Sequence, residues 1–226
     1  MLLPLAMGNG RGQVAVEAAL AVPVVVMLGL GIVQLGLVQQ ARLLAQYAAF
    51  AAARAGVVWG ARNARMHDAA MLVLLPLLGR ADSWEAVAAS WPSVQREELK
   101  LPARLGGLIR VDVVSPKVEG GQEPVDFDAP YSHAEGASFA RFTQPLGDEA
   151  DQEALRAATL LTVRVRYLHE LVVPLANWAV FTGWLASHPA NAEAEALQRL
   201  AREEHRYFLP LPATYTLRMQ SSARQP

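Results

Sequence analysis

The chain has 226 residues, a formal net charge of −1 and no cysteine, and 53% of its residues are hydrophobic. The near-zero charge removes the electrostatic basis for nucleic-acid binding, and the absence of cysteine excludes disulfides and cysteine-ligated zinc. A mean hydropathy of +0.19 is high for a soluble domain and low for a protein with many membrane spans. Composition therefore predicts one globular domain tethered to a membrane, with no nucleic-acid partner.

The first predicted element is a long helix near the start of the chain. No charged residue occurs from Ala18 to Ala41, and as a helix this run would extend about 36 Å, enough to cross a hydrocarbon core of about 30 Å. Glu17 stands directly before the run. Because a carboxylate at membrane depth costs about 2.5–3.5 kcal/mol, Glu17 is a candidate functional residue.

Small residues and one proline mark the interior of this helix. Pro23 is expected to bend it, since proline removes a backbone hydrogen bond. The small residues are Gly29, Gly31 and Gly36, followed by Ala41, Ala45 and Ala49. Two interpretations stay open: an alanine-rich chain contains many small residues by composition alone, or these positions form a packing face for the helices of sister subunits.

The residues before the apolar run carry a resemblance to a known family. Residues 11 to 17 read Arg-Gly-Gln-Val-Ala-Val-Glu, which resembles the class III leader of type IV filament proteins, cut by a prepilin peptidase between Gly12 and Gln13. The stretch to about residue 62 is similar to the TadE-like pseudopilins and minor pilins of Tad (tight adherence) pilus systems. It shares their Val-Glu pair, their apolar run broken by one proline and their Ala- and Arg-rich end. The family usually has an aromatic residue where this chain has Ala18.

This resemblance implies three parts: a leader at residues 1–12, a transmembrane pilin-like helix at residues 13–58 and a periplasmic domain at residues 59–226. It implies a single-pass inner-membrane protein with a cytoplasmic N-terminus, and a place in an extracellular filament after processing. The implied partners are the prepilin peptidase, the helices of other pilins and pseudopilins, and the Tad inner-membrane platform. Glu17 would pair with the N-terminal amine of a neighbouring subunit. The alternative is a boundary charge in a protein that is never cut.

Helices are predicted to follow the first one. Residues 57–78 should continue as helix, and the apolar stretch Ala69–Leu78 is too short to span a membrane and therefore predicts a core helix. Asp82 is expected to cap the next helix, with Glu85 completing a capping box, and Pro92 is expected to end it.

Three segments alternate apolar and polar residues as strands do: residues 109–113, 161–167 and 213–219. One polar face predicts an antiparallel sheet covered on one side. Its arginines are expected to be solvated, with cross-strand pairs such as arginine to Asp112; a binding face is the alternative. Residues 116–150 are predicted to be a loop. The nearby acids Asp148, Glu149, Asp151 and Glu153 are interpreted as solvated, with calcium ligation as the alternative.

Two helices are predicted between the last two strands. The helix at 175–187 should bury a stripe of Leu171, Leu175, Trp178, Phe181 and Leu185. In a second interpretation, Trp178 and Trp184 touch the membrane surface. An amphipathic helix at 190–206 and the pair Pro210 and Pro212 then lead into the last strand. The predicted class is α+β: a long N-terminal transmembrane helix, then a domain in which a small antiparallel sheet of about three or more strands packs with helices.

The sequence predicts no catalytic residues, no metal site and no cofactor. His133-Ala134-Glu135 has the H-x-E spacing of zinc deaminases but lacks their cysteine pair. The leading hypothesis is therefore not an enzyme but a minor pilin or pseudopilin that is built into a Tad-type pilus or related secretion apparatus, or that primes its assembly. The alternative is an unprocessed single-pass protein whose periplasmic domain scaffolds or binds a partner in an envelope complex.

Overall fold

The computed structural model describes residues 10–102, 105–115, 160–188 and 191–218. Within these ranges the elements are, in order, α1 (Gly10–Val58), α2 (Asn63–Leu78), α3 (Trp84–Lys100), β1 (Ile109–Ser115), β2 (Leu160–Glu170), α4 (Ala176–Ser187), α5 (Ala192–Glu203) and β3 (Phe208–Arg218). The predicted α+β class, with one long N-terminal helix and a small sheet, is confirmed. Three predictions lie outside the described residues. They are the loop at 116–150, the acidic group Asp148, Glu149, Asp151 and Glu153, and the His133–Glu135 motif.

The sheet has the strand order β1-β2-β3, and both strand pairs are antiparallel. Its register places Val111 opposite Val165 and Val165 opposite Ala213, so one apolar row crosses all three strands. All three predicted strands are confirmed. β3 begins earlier than expected and contains Pro210 and Pro212. It lies at an edge of the described sheet, where a residue without an N–H group is tolerated.

The apolar face of the sheet is covered by helices. The C-terminal half of α1 packs across β2 and β3, and α2 packs beside α1 and against β1. Leu161, Val163 and Val165 of β2 are completely buried beneath them. This burial of apolar surface is the main stabilising contribution to the domain.

The polar face differs from the prediction at two arginines. Asp112 lies opposite Arg164 in the register but pairs with Arg110 of its own strand, at 2.9 Å. Arg166 is not solvated: its guanidinium donates hydrogen bonds to the carboxylate of Glu193 on α5 and to carbonyl oxygens of the segment before β1. The α5 helix thus supplies a partner that a strand pattern does not show.

The start and end predicted for α3 are wrong. The helix is capped by Ser83, whose hydroxyl accepts a hydrogen bond from the Ala86 amide, and not by Asp82. Asp82 instead pairs with Arg80. The helix also continues through Pro92 to Lys100. A proline inside a helix costs about 3 kcal/mol, and burial of Val94 in the turn after it offsets part of that cost.

The stripe predicted for α4 is wrong at two positions. Leu171 and Phe181 are buried as expected, but Leu175 and Trp178 are exposed. Leu175 has a φ of 68°, so the chain turns sharply before the helix begins. The helical spacing counted from Leu171 therefore does not continue into α4. The amphipathic α5 is confirmed, with Asn191 as its cap: the side chain accepts from the Ala194 amide at 2.8 Å.

Candidate assembly helix

The helix α1 has two halves in different surroundings. From Val14 to Val33 nearly every side chain is exposed, and apart from Glu17 the exposed residues are apolar or glycine and alanine. By length and composition this helix could cross a membrane, and its most apolar window has none of its residues buried within the chain. We call Val14–Val33 the free half and Gln34–Val58 the seated half.

The seated half forms part of the domain core. Ala41, Ala45 and Ala49 are completely or almost completely buried, at the spacing of one helical face. They belong to the buried core of the chain, and the elements that α1 contacts most are α2, β3 and β2. These three alanines are therefore covered within the single chain and not by the expected sister helix. Small side chains are needed here because they let the helix lie close against the sheet.

Gly56 lies where the seated half packs tightly against two other elements. A Cβ atom at this position would lie 2.7 Å from a methyl carbon of Leu161 and 2.8 Å from the sulfur of Met66. Both of those side chains are completely buried. The absence of a side chain at Gly56 thus lets α1, α2 and β2 meet.

The other small residues do not face the domain core. At Gly29, Gly31 and Gly36 an added Cβ would meet no atom within 4 Å. Pro23 lies inside the free half, and the helix continues through it. These four predicted packing residues are therefore on helix surface that the described part of the chain leaves uncovered.

Glu17 is exposed near the start of the free half. Within the described ranges its carboxylate takes part in no ion pair or hydrogen bond. The predicted cleavage position precedes it by one helical turn, and there the backbone at Gly12 and Gln13 is already helical. The helix therefore begins at Gly10, before the predicted end of the leader at residue 12.

The family model described as TadE-like protein matches residues 12–54. Over these residues the chain is similar to TadE-like proteins. The match confirms, over residues 12–54, the resemblance drawn from the sequence. No curated protein and no solved structure matches the chain. The TadE-like segment includes the free half and most of the seated half, and it ends just before Gly56.

Sequence reasoning missed Gln34, which joins the TadE-like helix to the rest of the domain. Its side chain is completely buried, and its Oε1 accepts a hydrogen bond from the Val173 amide at 2.9 Å. Val173 lies in the turn between β2 and α4. The available signal was the polar side chain of Gln34 within an apolar run. A polar side chain that is buried in such a run needs a hydrogen-bond partner.

A second missed residue is His67, which connects three elements behind the TadE-like helix. Its Nε2 lies 3.0 Å from the Glu98 carboxylate on α3 and 3.2 Å from the Ile109 carbonyl oxygen on β1. The hydrogen bond and negative charge of Glu98 raise the pKa of His67, although burial acts in the opposite direction. An imidazolium that donates to both oxygens would hold α2, α3 and β1 together.

A further ion pair closes the end of the sheet near β3. Arg206 donates two hydrogen bonds to the carboxylate of Glu170, at 2.9 and 2.7 Å. These bonds raise the pKa of Arg206. Nearby, burial lowers the pKa of His169, whose ring nitrogens have no hydrogen-bond partner among the described residues. The arrangement fixes the connection from β2 to α4 and from α5 to β3.

Proposed function

We propose that this chain is a minor pilin or pseudopilin that is processed by a prepilin peptidase and then built into a Tad-type pilus or related secretion apparatus, or primes its assembly. The free half of α1 spans the inner membrane, with the N-terminus in the cytoplasm and the domain in the periplasm. Its partners are the peptidase, the helices of other pilins and pseudopilins, and the inner-membrane platform. The proposed role is a structural one, without catalysis and without a cofactor.

The division of α1 is the observation that carries this proposal. A subunit that moves from a bilayer into a filament needs one apolar surface that lipid covers first and sister helices cover afterwards. The free half has such a surface, with Gly29 and Gly31 uncovered, and the uncovered surface continues to Gly36 at the start of the seated half. The seated half is held by the domain core and stays with it in both states.

Glu17 gives the assembly a defined register. An ionised carboxylate inside a bilayer is unfavourable, by about 2.5–3.5 kcal/mol at the bilayer centre. Cleavage after Gly12 creates an amine on Gln13, and the amine of a neighbouring subunit can pair with Glu17 in the packed helices. Because a buried charge without its partner is strongly unfavourable, only helices in the correct axial register are stabilised.

One observation favours the second candidate, an unprocessed single-pass scaffold. The backbone is already helical at Gly12 and Gln13, and a protease must bind its substrate in an accessible conformation. In this alternative the leader stays attached, Glu17 remains at the membrane boundary and the domain binds a partner of an envelope complex.

The N-terminus of the protein recovered from its native membranes separates the two candidates. We expect a chain that begins at Gln13. Gly12→Leu should block cleavage and leave the longer chain, while Gly10→Leu, a matched control two residues earlier, should be cut as before. A wild-type chain that still carries residues 1–12 would refute processing.

The register hypothesis is tested by Glu17→Ala in the same cells. We expect normal cleavage, but incorporation into the sheared filament fraction should fall by about tenfold or more. A tenfold reduction corresponds to a loss of about 1.4 kcal/mol of stabilisation. Gln39→Ala, which alters an exposed polar residue of the same helix, should incorporate normally. Equal incorporation of the Glu17 and Gln39 variants would contradict the pairing.

A further inference from the structure

The turn between β2 and α4 presents exposed apolar side chains without any charge. No charged residue occurs from Leu171 to Ser187. Within this stretch Val172 is 63% exposed, Leu175 58% and Trp178 59%. Leu175 is also held at a φ of 68°, and a positive φ is uncommon for a residue other than glycine. The fold therefore keeps three large apolar side chains outside its core.

The position of this turn is fixed relative to α1. The Val173 amide donates to Gln34, and Gln34 is the first residue after the free half. At about 1.5 Å per residue the free half is about 30 Å long, which equals the thickness of a hydrocarbon core. If Val14–Val33 crosses the bilayer, Gln34 lies where the hydrocarbon ends, and the adjoining turn lies at the same level.

We propose that the β2–α4 turn and the first turn of α4 contact the lipid surface beside α1, with Val172, Leu175 and Trp178 in the interface. The inference rests on the proposed membrane span of the free half. A lipid surface fits this patch for three reasons. The patch has no charge, it adjoins the end of the span, and it includes a tryptophan, a residue that favours the headgroup region. The α4 helix is too short to cross the membrane itself.

This second contact fixes the orientation of the domain. A single helix would let the domain rotate and tilt on the membrane, whereas two contacts joined by the Gln34–Val173 hydrogen bond define one orientation. Entry into a filament then requires the turn to leave the lipid. The patch thus favours the membrane-resident subunit until other contacts replace the lipid.

The chain contains no cysteine, so single spin labels can report the contact in the full-length protein. Labels are placed by Val172→Cys, Trp178→Cys and Trp84→Cys, and the protein is reconstituted in phosphatidylcholine–phosphatidylglycerol vesicles. Trp84 is the matched control, an exposed tryptophan on α3. A fourth label, Val24→Cys, reports the free half. The collision rates of each label with oxygen and with a water-soluble nickel chelate are then measured.

We expect labels at 172 and 178 to show an oxygen-to-nickel ratio severalfold above that of the label at 84. A ratio at 172 and 178 equal to that at 84, with label 24 in hydrocarbon, overturns the lipid contact and leaves the span intact. A label at 24 that collides freely with nickel overturns the span itself. Dipolar broadening between labels at 178 that persists at high lipid-to-protein ratio would identify a contact between copies, and would also overturn the proposal.

Discussion

At the scale of single residues, His67 shows how one side chain makes the stability of the domain depend on pH. It lies between Glu98 and the Ile109 carbonyl oxygen, and its pKa in the folded chain is raised above the ordinary value of about 6.5. A group with a raised pKa binds its proton more tightly in the folded state. Its stabilising contribution is therefore complete below pH 6.5 and is lost as the pH rises through the folded pKa.

We therefore predict that His67→Gln flattens the dependence of stability on pH above 6.5. In the wild-type chain the free energy of unfolding should fall as the pH rises, because His67 loses its proton. Glutamine does not titrate, so the variant should lack this part of the pH dependence. Urea unfolding in mild detergent at several pH values measures the difference. An unchanged slope in His67→Gln would show that another group titrates.

His169 acts in the opposite direction and must be separated from His67. Burial lowers its pKa, so its contribution is present above the ordinary histidine value and is lost as the pH falls through the folded pKa. The effect of His67 is therefore read at pH values above 6.5, where His169 is neutral in both states.

At the scale of elements, α1 combines a surface for other molecules with a surface for its own domain. The seated half depends on alanine on the side that faces the core, since Ala45 is almost completely buried while the adjacent Gln46 is exposed. Adding methylene groups to a packed core costs about 1–3 kcal/mol. A leucine introduced at each of these two positions thus distinguishes the two surfaces of one helix.

We predict that Ala45→Leu lowers the free energy of unfolding of the domain by about 1–3 kcal/mol, and that Gln46→Leu changes it by less than about 0.5 kcal/mol. Chemical unfolding of both variants in the same detergent provides the measurement. If Ala45→Leu instead leaves stability unchanged and only reduces assembly, the alanine stripe faces a sister helix rather than the chain's own sheet.

At the scale of the whole molecule, the domain should be separable from the span but not from the seated half. The buried residues of α1 extend from Gln34 to Gly56, and the sheet has no other described cover over β2 and β3 as extensive as this helix. Removal of the free half takes away exposed apolar surface, whereas removal of the seated half uncovers the core.

We predict that a truncated chain starting at Gln34 folds cooperatively without detergent, and that one starting at Ala55 does not fold. Both lack the membrane span, so the second chain is the control for loss of the anchor. Circular dichroism during heating gives the comparison. Cooperative folding of the shorter chain would mean that the seated half contributes little to the core.

The sequence by itself determined the elements that depend on local pattern. The uncharged run from Ala18 to Ala41 predicted the membrane-capable helix, because its length alone satisfies the span. Strict alternation predicted the three strands and, along β2, which residues face inward, since a strand repeats every two residues. The leader-like Gly12 and Glu17 led to the TadE-like family, which matches residues 12–54.

Only the tertiary structure decided which surfaces meet. The sequence left the partner of Ala41, Ala45 and Ala49 open, and the structure buries all three in the chain's own core. The positive φ of Leu175 changed which residues of α4 face the core. Glu193 of α5 forms an ion pair with Arg166, which the strand pattern had predicted to be solvated. Each outcome depends on residues distant in sequence, because close packing is decided by the shapes of both surfaces and not by the pattern of one.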